Sequence, residues 1–216
     1  MVIVGLGGLG SPAALYLAAA GIGTLVVNDF DQVELSNLQR QIIYRETDIG
    51  ESKVDATKYN LQKLNPDCQV ITKGWQLEGD ELIEEVHRAD IVLDCSDNFL
   101  TRFTLNQTCV DTATTLISGA AIRQEGQLFT MLKGQKPCYQ CLYPDIPEEV
   151  DQGCNTNGIL APLVGVIGSL QALQTLQILT NNDTKLNNQL LLFDAITMRW
   201  RGLQVLPDPA CMICAS

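Results

Sequence analysis

The chain is poor in cations and almost empty of histidine. Its 216 residues carry 14 Lys and Arg against 25 Asp and Glu, a formal net charge of −11. Proteins that read nucleic acid present a basic face to the phosphates, and no basic run stands here, so the acidity reads as solubility. The one histidine is His87, within Glu84-Glu85-Val86-His87-Arg88, and it reads as a solvated helix residue. Ser-His-Asp and Cys-His catalysis are thereby disfavoured. No basic segment followed by an apolar one opens the chain, so no signal peptide is read. The longest apolar stretches are broken by polar residues short of a membrane span. The expectation is a cytoplasmic protein. With 46% apolar residues the chain is long enough for one α/β domain with a substantial core.

What is present starts at the N-terminus. Val2-Ile3-Val4 is a short apolar strand that runs into Gly5-Leu6-Gly7-Gly8-Leu9-Gly10, with Ser11-Pro12 opening a helix behind it. A strand, Gly-x-Gly-x-x-Gly and a helix together aim backbone N–H groups and a positive helix end at an anion, usually a nucleotide phosphate. Asp29 closes the apolar run Thr24–Asn28, nineteen residues after Gly10. That is where a ribose-binding carboxylate belongs. The few cations gain weight, because a site for ATP must recruit some of them.

The rest of the chain alternates strand and helix. The pattern predicts a strand over 2–5 and a helix over 12–20, with Gly21 and Gly23 as C-cap and turn. A strand over 24–28 is followed by a polar stretch to about residue 51. Lys53–Leu64 reads as a helix stopped by Asn65-Pro66. Strand 68–73, helix 80–88, strand 90–94, helix 99–112 and strand 115–120 continue the alternation. It implies a mostly parallel, doubly wound, Rossmann-like sheet covered on both faces. Ligands then sit at the carboxyl ends of the strands, where Asp29 and Asp94-Cys95-Ser96-Asp97 converge on the glycine loop. From about 121 the character changes. A strand over 127–132 lacks a helical crossover, and 138–153 is a Pro- and Cys-rich loop. A long apolar helix spans 158–179, its Gly165 and Gly168 suggesting close packing. Segments 190–193 and 200–205 form a terminal antiparallel hairpin. The organisation is one domain over 1–216, with a nucleotide-binding half (1–120) and a partner-binding half (121–216).

Eight cysteines are present, four of them in the pairs Cys138/Cys141 and Cys211/Cys214. Without a secretory signal a disulfide framework is the weaker reading and a structural zinc the stronger. Separate redox pairs or plain thiols stay open. Cys68, Cys95 and Cys109 read as small buried residues. Cys154 precedes the long helix, whose dipole favours a thiolate. Carboxylates, a few cations and a lone cysteine suit nucleotidyl transfer, where catalysis is positioning and charge neutralisation. A carboxylate substrate attacking an α-phosphate arrives ionised and needs no general base. Taken singly, Asp29 is also readable as a turn residue, Arg40 as a surface ion pair and Lys53 as a solvated helix residue.

Gly5–Pro12 with Asp29, Ser36-Asn37-Leu38-Gln39-Arg40-Gln41, Lys53, Asp94–Asn98 and the double Cys-x-x-Cys together resemble the adenylyltransferases that activate ubiquitin-like sulfur carriers. These serve molybdopterin synthase and thiamine biosynthesis and are related to ubiquitin-activating enzymes. The resemblance runs from residue 1 to 216. It implies that Gly5, Gly7, Gly8 and Gly10 cradle ATP phosphates and that Asp29 holds the ribose. It further implies that Asn37, Arg40 and Gln41 contact ATP, that Lys53 neutralises the phosphate tail, and that Asp97 is the Mg2+-associated aspartate of adenylation. By the same resemblance Cys138, Cys141, Cys211 and Cys214 hold one structural Zn2+. Cys154 matches a cysteine that links covalently to the carrier in the thiamine branch. Gly119–Gln127 and Ala161–Ala172 look closest to the molybdopterin branch. The implied partners are a small carrier ending in Gly-Gly, a separate sulfur donor and a second copy of the chain. Members usually carry an arginine on a segment before the first strand, and this chain starts inside that strand. A carrier-binding protein with impaired catalysis is therefore the alternative reading, and an NAD-dependent oxidoreductase a remote one.

Overall fold

Five strands form the parallel part of one eight-stranded sheet, the inner ones apolar on both faces and the edge strand half polar. In the computed structural model, which describes residues 1–144, 158–181 and 188–215, these are β1 (Val2–Val4), β2 (Thr24–Asn28), β3 (Gln69–Lys73), β4 (Ile91–Asp94) and β5 (Thr115–Ile122). Three antiparallel strands extend it: β6 (Glu125–Met131), β7 (Gln189–Asp194) and β8 (Arg199–Gln204). The order is β3-β2-β1-β4-β5-β6-β7-β8, with parallel pairing up to β5 and antiparallel pairing beyond. The helices are α1 (Gly10–Ala19), α2 (Lys53–Leu64), α3 (Gly79–His87), α4 (Phe99–Asp111), α5 (Tyr139–Leu142) and α6 (Ala161–Leu179). The α/β class and the antiparallel extension read from the sequence are both present.

Period-two alternation divides the core. Ile3, Leu25, Val27, Leu93 and Ile117 point into the layer shared with Leu17 of α1, Leu61 of α2 and Ile167 of α6. Val2, Val4, Val26, Val92 and Leu116 point the other way, toward Val86 of α3 and Phe103 and Leu105 of α4. Strands covered on both sides explain why the sequence shows apolar runs there instead of alternation with polar residues.

Local chemistry sets the element ends. Gly21, at φ +89°, follows α1; its N–H donates to Ala18 and that of Ile22 to Leu17, both at 3.1 Å. Two such bonds around a left-handed residue close a helix, and glycine adopts that conformation without Cβ strain. The first helix starts two residues earlier than the pattern predicts, because the glycine turn itself is helical. β5 runs two residues further than predicted, since Ala121 and Ile122 pair with Gly126 and Glu125 in a tight hairpin. The Cys-rich segment expected as loop contains the single turn α5.

Helix α6 lies on α1, β5 and β6. A Cβ on Gly168 would stand 2.2 Å from the Leu9 carbonyl oxygen, whereas one on Gly165 would meet nothing within 4 Å. Close packing belongs to Gly168 alone. By length and composition α6 is the one helix among the described residues able to cross a membrane, contrary to the reading that polar interruptions prevent this. Its polar residues Gln171, Gln174 and Thr175 are buried.

Candidate active site

The carboxyl ends of β1, β2 and β4 open into a cleft of about 510 Å³, where a doubly wound sheet binds its ligands. Gly5 ends β1 at φ +89°. A Cβ there would sit 2.7 Å from the Cys95 carbonyl oxygen, and one on Gly10 would sit 1.9 Å from the Gly5 oxygen. The loop is folded onto the end of β4 so closely that only glycine fits at these two positions. The Leu6 carbonyl accepts from Ser11 Oγ at 3.2 Å and from the Tyr44 hydroxyl at 3.1 Å. Gly5, Gly7 and Gly8 line the cleft at the start of α1.

Asp29 stands at the end of β2 and is held from three sides. Oδ2 accepts the Leu6 N–H at 2.7 Å and Oδ1 the Asp31 N–H at 2.9 Å, while Lys53 Nζ lies 3.6 Å from Oδ1. Burial pushes its pKa up, against the pull of Lys53 and the two N–H groups. Lys53 also pairs with Asp31 at 2.7 Å and is 4% exposed. It is no solvated helix residue, and Asp29 is more than a turn residue. The polar stretch between β2 and α2 wraps over this pair. Its short 3-10 turn Leu35–Asn37 presents Asn37, Arg40 and Gln41 to the cleft. Arg40 Nη2 donates to Asn37 Oδ1 at 2.8 Å. Gln41 is buried, and among the described residues its Oε1 has no hydrogen-bond partner.

Across the cleft, β4 delivers Asp94 through Asp97. Asp94 is buried and accepts from Ser96 Oγ at 2.6 Å and Ser118 Oγ at 2.7 Å. Burial raises the pKa of the adjacent Cys95 thiol, helped by the Asp94 charge. Asp97 is exposed and lines the cleft. Asn98 Oδ1 then caps α4 by accepting the Thr101 N–H at 2.8 Å, which starts the helix at once.

The cleft continues over the antiparallel half. Ala120, Ala121 and Gly126 form a low wall, faced by Phe99, Tyr139 and Tyr143. Tyr143 donates to Gln127 Oε1 at 3.0 Å. Behind these tyrosines, Sγ atoms of Cys138, Cys141, Cys211 and Cys214 all lie within 4.8 Å of one another. Four converging thiols, with the Asp208 N–H 3.5 Å from Cys141 Sγ, fit a closed tetrahedral Zn2+ site. Cys68, Cys95 and Cys109 are buried and His87 is exposed. Cys154 lies outside the described residues.

Thus Gly5, Gly7, Gly8, Asp29, Asn37, Arg40, Gln41, Lys53 and Asp97 share one cleft. Gly10 backs its loop, and the four cysteines stand apart. Three residues that hold the site escaped the sequence reading: Tyr44, Arg102 and Gln171. Arg102 is the one with a signal, being among the few cations and four residues after Asn98. Gln171, 0% exposed, donates to the carbonyls of Asp94 and Ile117 at 2.8 and 3.1 Å; inside an apolar helix nothing marks it.

Comparison with known proteins supplies the family. The model of the ThiF family matches residues 1–213. The sulfur carrier protein ThiS adenylyltransferase of Escherichia coli K12 is 44% identical over 215 residues, covering 99% of this chain and 85% of that protein. The molybdopterin-synthase adenylyltransferase of the same organism is 40% identical over 216 residues, covering 99% and 86%. The adenylyltransferase and sulfurtransferase MOCS3 of Aedes aegypti is 42% identical over 217 residues, and this chain spans only half of its length. Among solved structures, E. coli MccB with ATP superposes with a TM-score of 0.86 at 24% identity, over 100% of this chain and 66% of that one; it shows the fold.

Proposed function

This chain belongs to the ThiF family, and from that premise we propose that it adenylates the C-terminal glycine of a small sulfur-carrier protein. Its named relatives are adenylyltransferases, and the chain is a nucleotidyltransferase of that type. In the proposed step a carboxylate oxygen of the carrier attacks the α-phosphorus of ATP. The bond to the bridging oxygen breaks, an acyl-adenylate forms and pyrophosphate leaves.

One observation supports this reading above the others. The glycine loop, the Asp29–Lys53 pair, the Asn37/Arg40/Gln41 turn and Asp97 line a single cleft, although they come from separate stretches of chain. Asp29 is fixed as an acceptor for the ribose hydroxyls. Arg40 and Lys53 are the cations set beside the phosphates. The Asp97 carboxylate, exposed in the cleft, is the donor for Mg2+, which supplies charge neutralisation at the triphosphate. The low wall of Ala120, Ala121 and Gly126 leaves room for a tail without side chains. The four cysteines take a structural Zn2+ with all four positions filled, so the metal steadies the partner-binding half. Exposed Tyr16, Ile42, Val166, Leu173 and Trp200 are the apolar surface for the second copy.

The test is carrier-dependent ATP–pyrophosphate exchange with Mg2+ and two carriers ending in Gly-Gly, one from the thiamine and one from the molybdopterin pathway. Exchange with one carrier and not the other establishes adenylation and assigns the pathway. Identities of 44% and 40% to the two bacterial relatives leave that choice to the carrier. Nucleotide binding without exchange on either carrier would instead leave a carrier-binding protein.

A further inference from the structure

Ser96, the residue before Asp97, is tied down at every polar atom it has. Its N–H and Oγ both donate to Asp94 Oδ1, at 3.1 and 2.6 Å. Its carbonyl accepts from Arg102 Nη2. The residue after Asp97 is fixed as well, because Asn98 caps α4. Asp97 is thus an exposed carboxylate held between two clamped neighbours.

Arg102 closes this arrangement from one turn along α4. Its Nη1 lies 3.8 Å from Asp94 Oδ2 and 3.5 Å from Ser118 Oγ, and Ser118 in turn donates to Asp94 Oδ2 at 2.7 Å. Arg102 and Asp94 are 6% and 1% exposed. A buried ion pair is a weak source of stability, so this one calls for another purpose. Neutralising Asp94 needs a single point charge. The planar guanidinium does more, because its fork spans Asp94, Ser118 and the Ser96 carbonyl together.

We propose that Arg102 is a positioning residue that sets the direction of the Asp97 carboxylate in the cleft through the Ser96 carbonyl, and so governs how firmly the metal–nucleotide complex is held. The inference rests on the adenylation reading, and its test separates the two. A lysine at this position keeps a charge for Asp94 but cannot bridge to Ser96 and Ser118 at once.

The experiment uses the full chain with Mn2+ and a non-hydrolysable ATP analogue, metal binding being followed by electron paramagnetic resonance. Arg102→Lys should weaken Mn2+ binding in the nucleotide complex by about 10- to 100-fold, the scale of a side chain misplaced by an ångström. Binding of the analogue without metal should stay within about twofold. Ser118→Ala, which removes one strut and keeps the guanidinium, should shift Mn2+ affinity in the same direction by less. If Arg102→Lys does not fold, Ser118→Ala decides. A folded variant with unchanged Mn2+ affinity overturns the proposal, and so does an Asp97→Ala variant that binds Mn2+ like the parent. Should the parent bind Mn2+ through Asp97 yet exchange no pyrophosphate with either carrier, adenylation fails while the positioning role stands.

Discussion

Two of the carboxylates that line the cleft, Asp29 and Asp97, are built in opposite ways. Asp29 is half-buried, and its oxygens are taken by two backbone N–H groups and a lysine. Asp97 is exposed, and its order comes from Ser96 and Asn98 beside it. A carboxylate fixed by donors offers one acceptor direction, which suits recognition of sugar hydroxyls. One fixed only through its backbone keeps its charge available for a cation. On the proposed function, sugar recognition and charge neutralisation follow different strands, β2 and β4, and each can be removed alone.

Removing Asp97 is the largest expected effect. Asp97→Ala should lower the rate of carrier-dependent exchange by about 10³-fold, the magnitude of losing one preorganised electrostatic group. Metal-free nucleotide affinity should stay within a few-fold. A loss of metal-free binding as large as the loss of rate would collapse the division between the two ends.

The cysteine cluster sharpens a second contrast, between Asp97, which its neighbours in sequence hold, and a cluster that joins residues 73 apart, such as Cys138 and Cys211. The purified protein should contain close to one Zn2+ per chain by elemental analysis. Cys141→Ser should lose it and lower the melting temperature by about 10 °C, which corresponds to several kcal/mol at this chain length. Zinc-free protein with an unchanged melting temperature would leave the four thiols without a metal role.

Asp29 gives an intermediate effect whose sign depends on what is measured. Asp29→Asn should weaken nucleotide binding about tenfold, as expected for a lost charged hydrogen bond. Its pH dependence runs against the usual carboxylate. Burial raises the folded pKa above the ordinary aspartate value of 3.8, so the folded state holds the proton more tightly than the unfolded chain. The stabilisation is present below pH 3.8 and is lost as pH rises through the folded pKa. Relative to Asp29→Asn, the parent should thus be more stable near pH 3.5 than near pH 7, by denaturant titration at both. A gap that widens toward neutral pH would mean that Lys53 outweighs burial.

Much of this division was legible in the sequence. Apolar runs between glycine turns set the parallel strands to within two residues, because a strand covered on both faces admits little else. The glycine loop, Asp29 and Asp97 could be grouped because each follows a strand end, whereas the Asn37–Gln41 block joined them only through the family resemblance. What stayed hidden depends on tertiary approach. Tyr44 reaches Leu6 across 38 residues, and Gln171 reaches Asp94 across 77, neither with a local pattern. The fork of Arg102 shows only once β4, α4 and β5 are brought together. Gly165 and Gly168 look alike in sequence, and only the path of α1 separates them.

That last pair supplies the smallest and cleanest test. A methyl group at Gly168 would press on the Leu9 carbonyl, where backbone has to move, while one at Gly165 enters open space. Gly168→Ala should destabilise by about 2 kcal/mol, in the range of overpacked cores, and should also weaken nucleotide binding, because Leu9 belongs to the glycine loop. Gly165→Ala should stabilise by up to about 1 kcal/mol through helix propensity alone and leave nucleotide binding unchanged. Denaturant titration of both variants beside the parent reads the difference. Equal shifts in the same direction would mean that α6 does not ride on the glycine loop, and that the cleft is held open by the sheet alone.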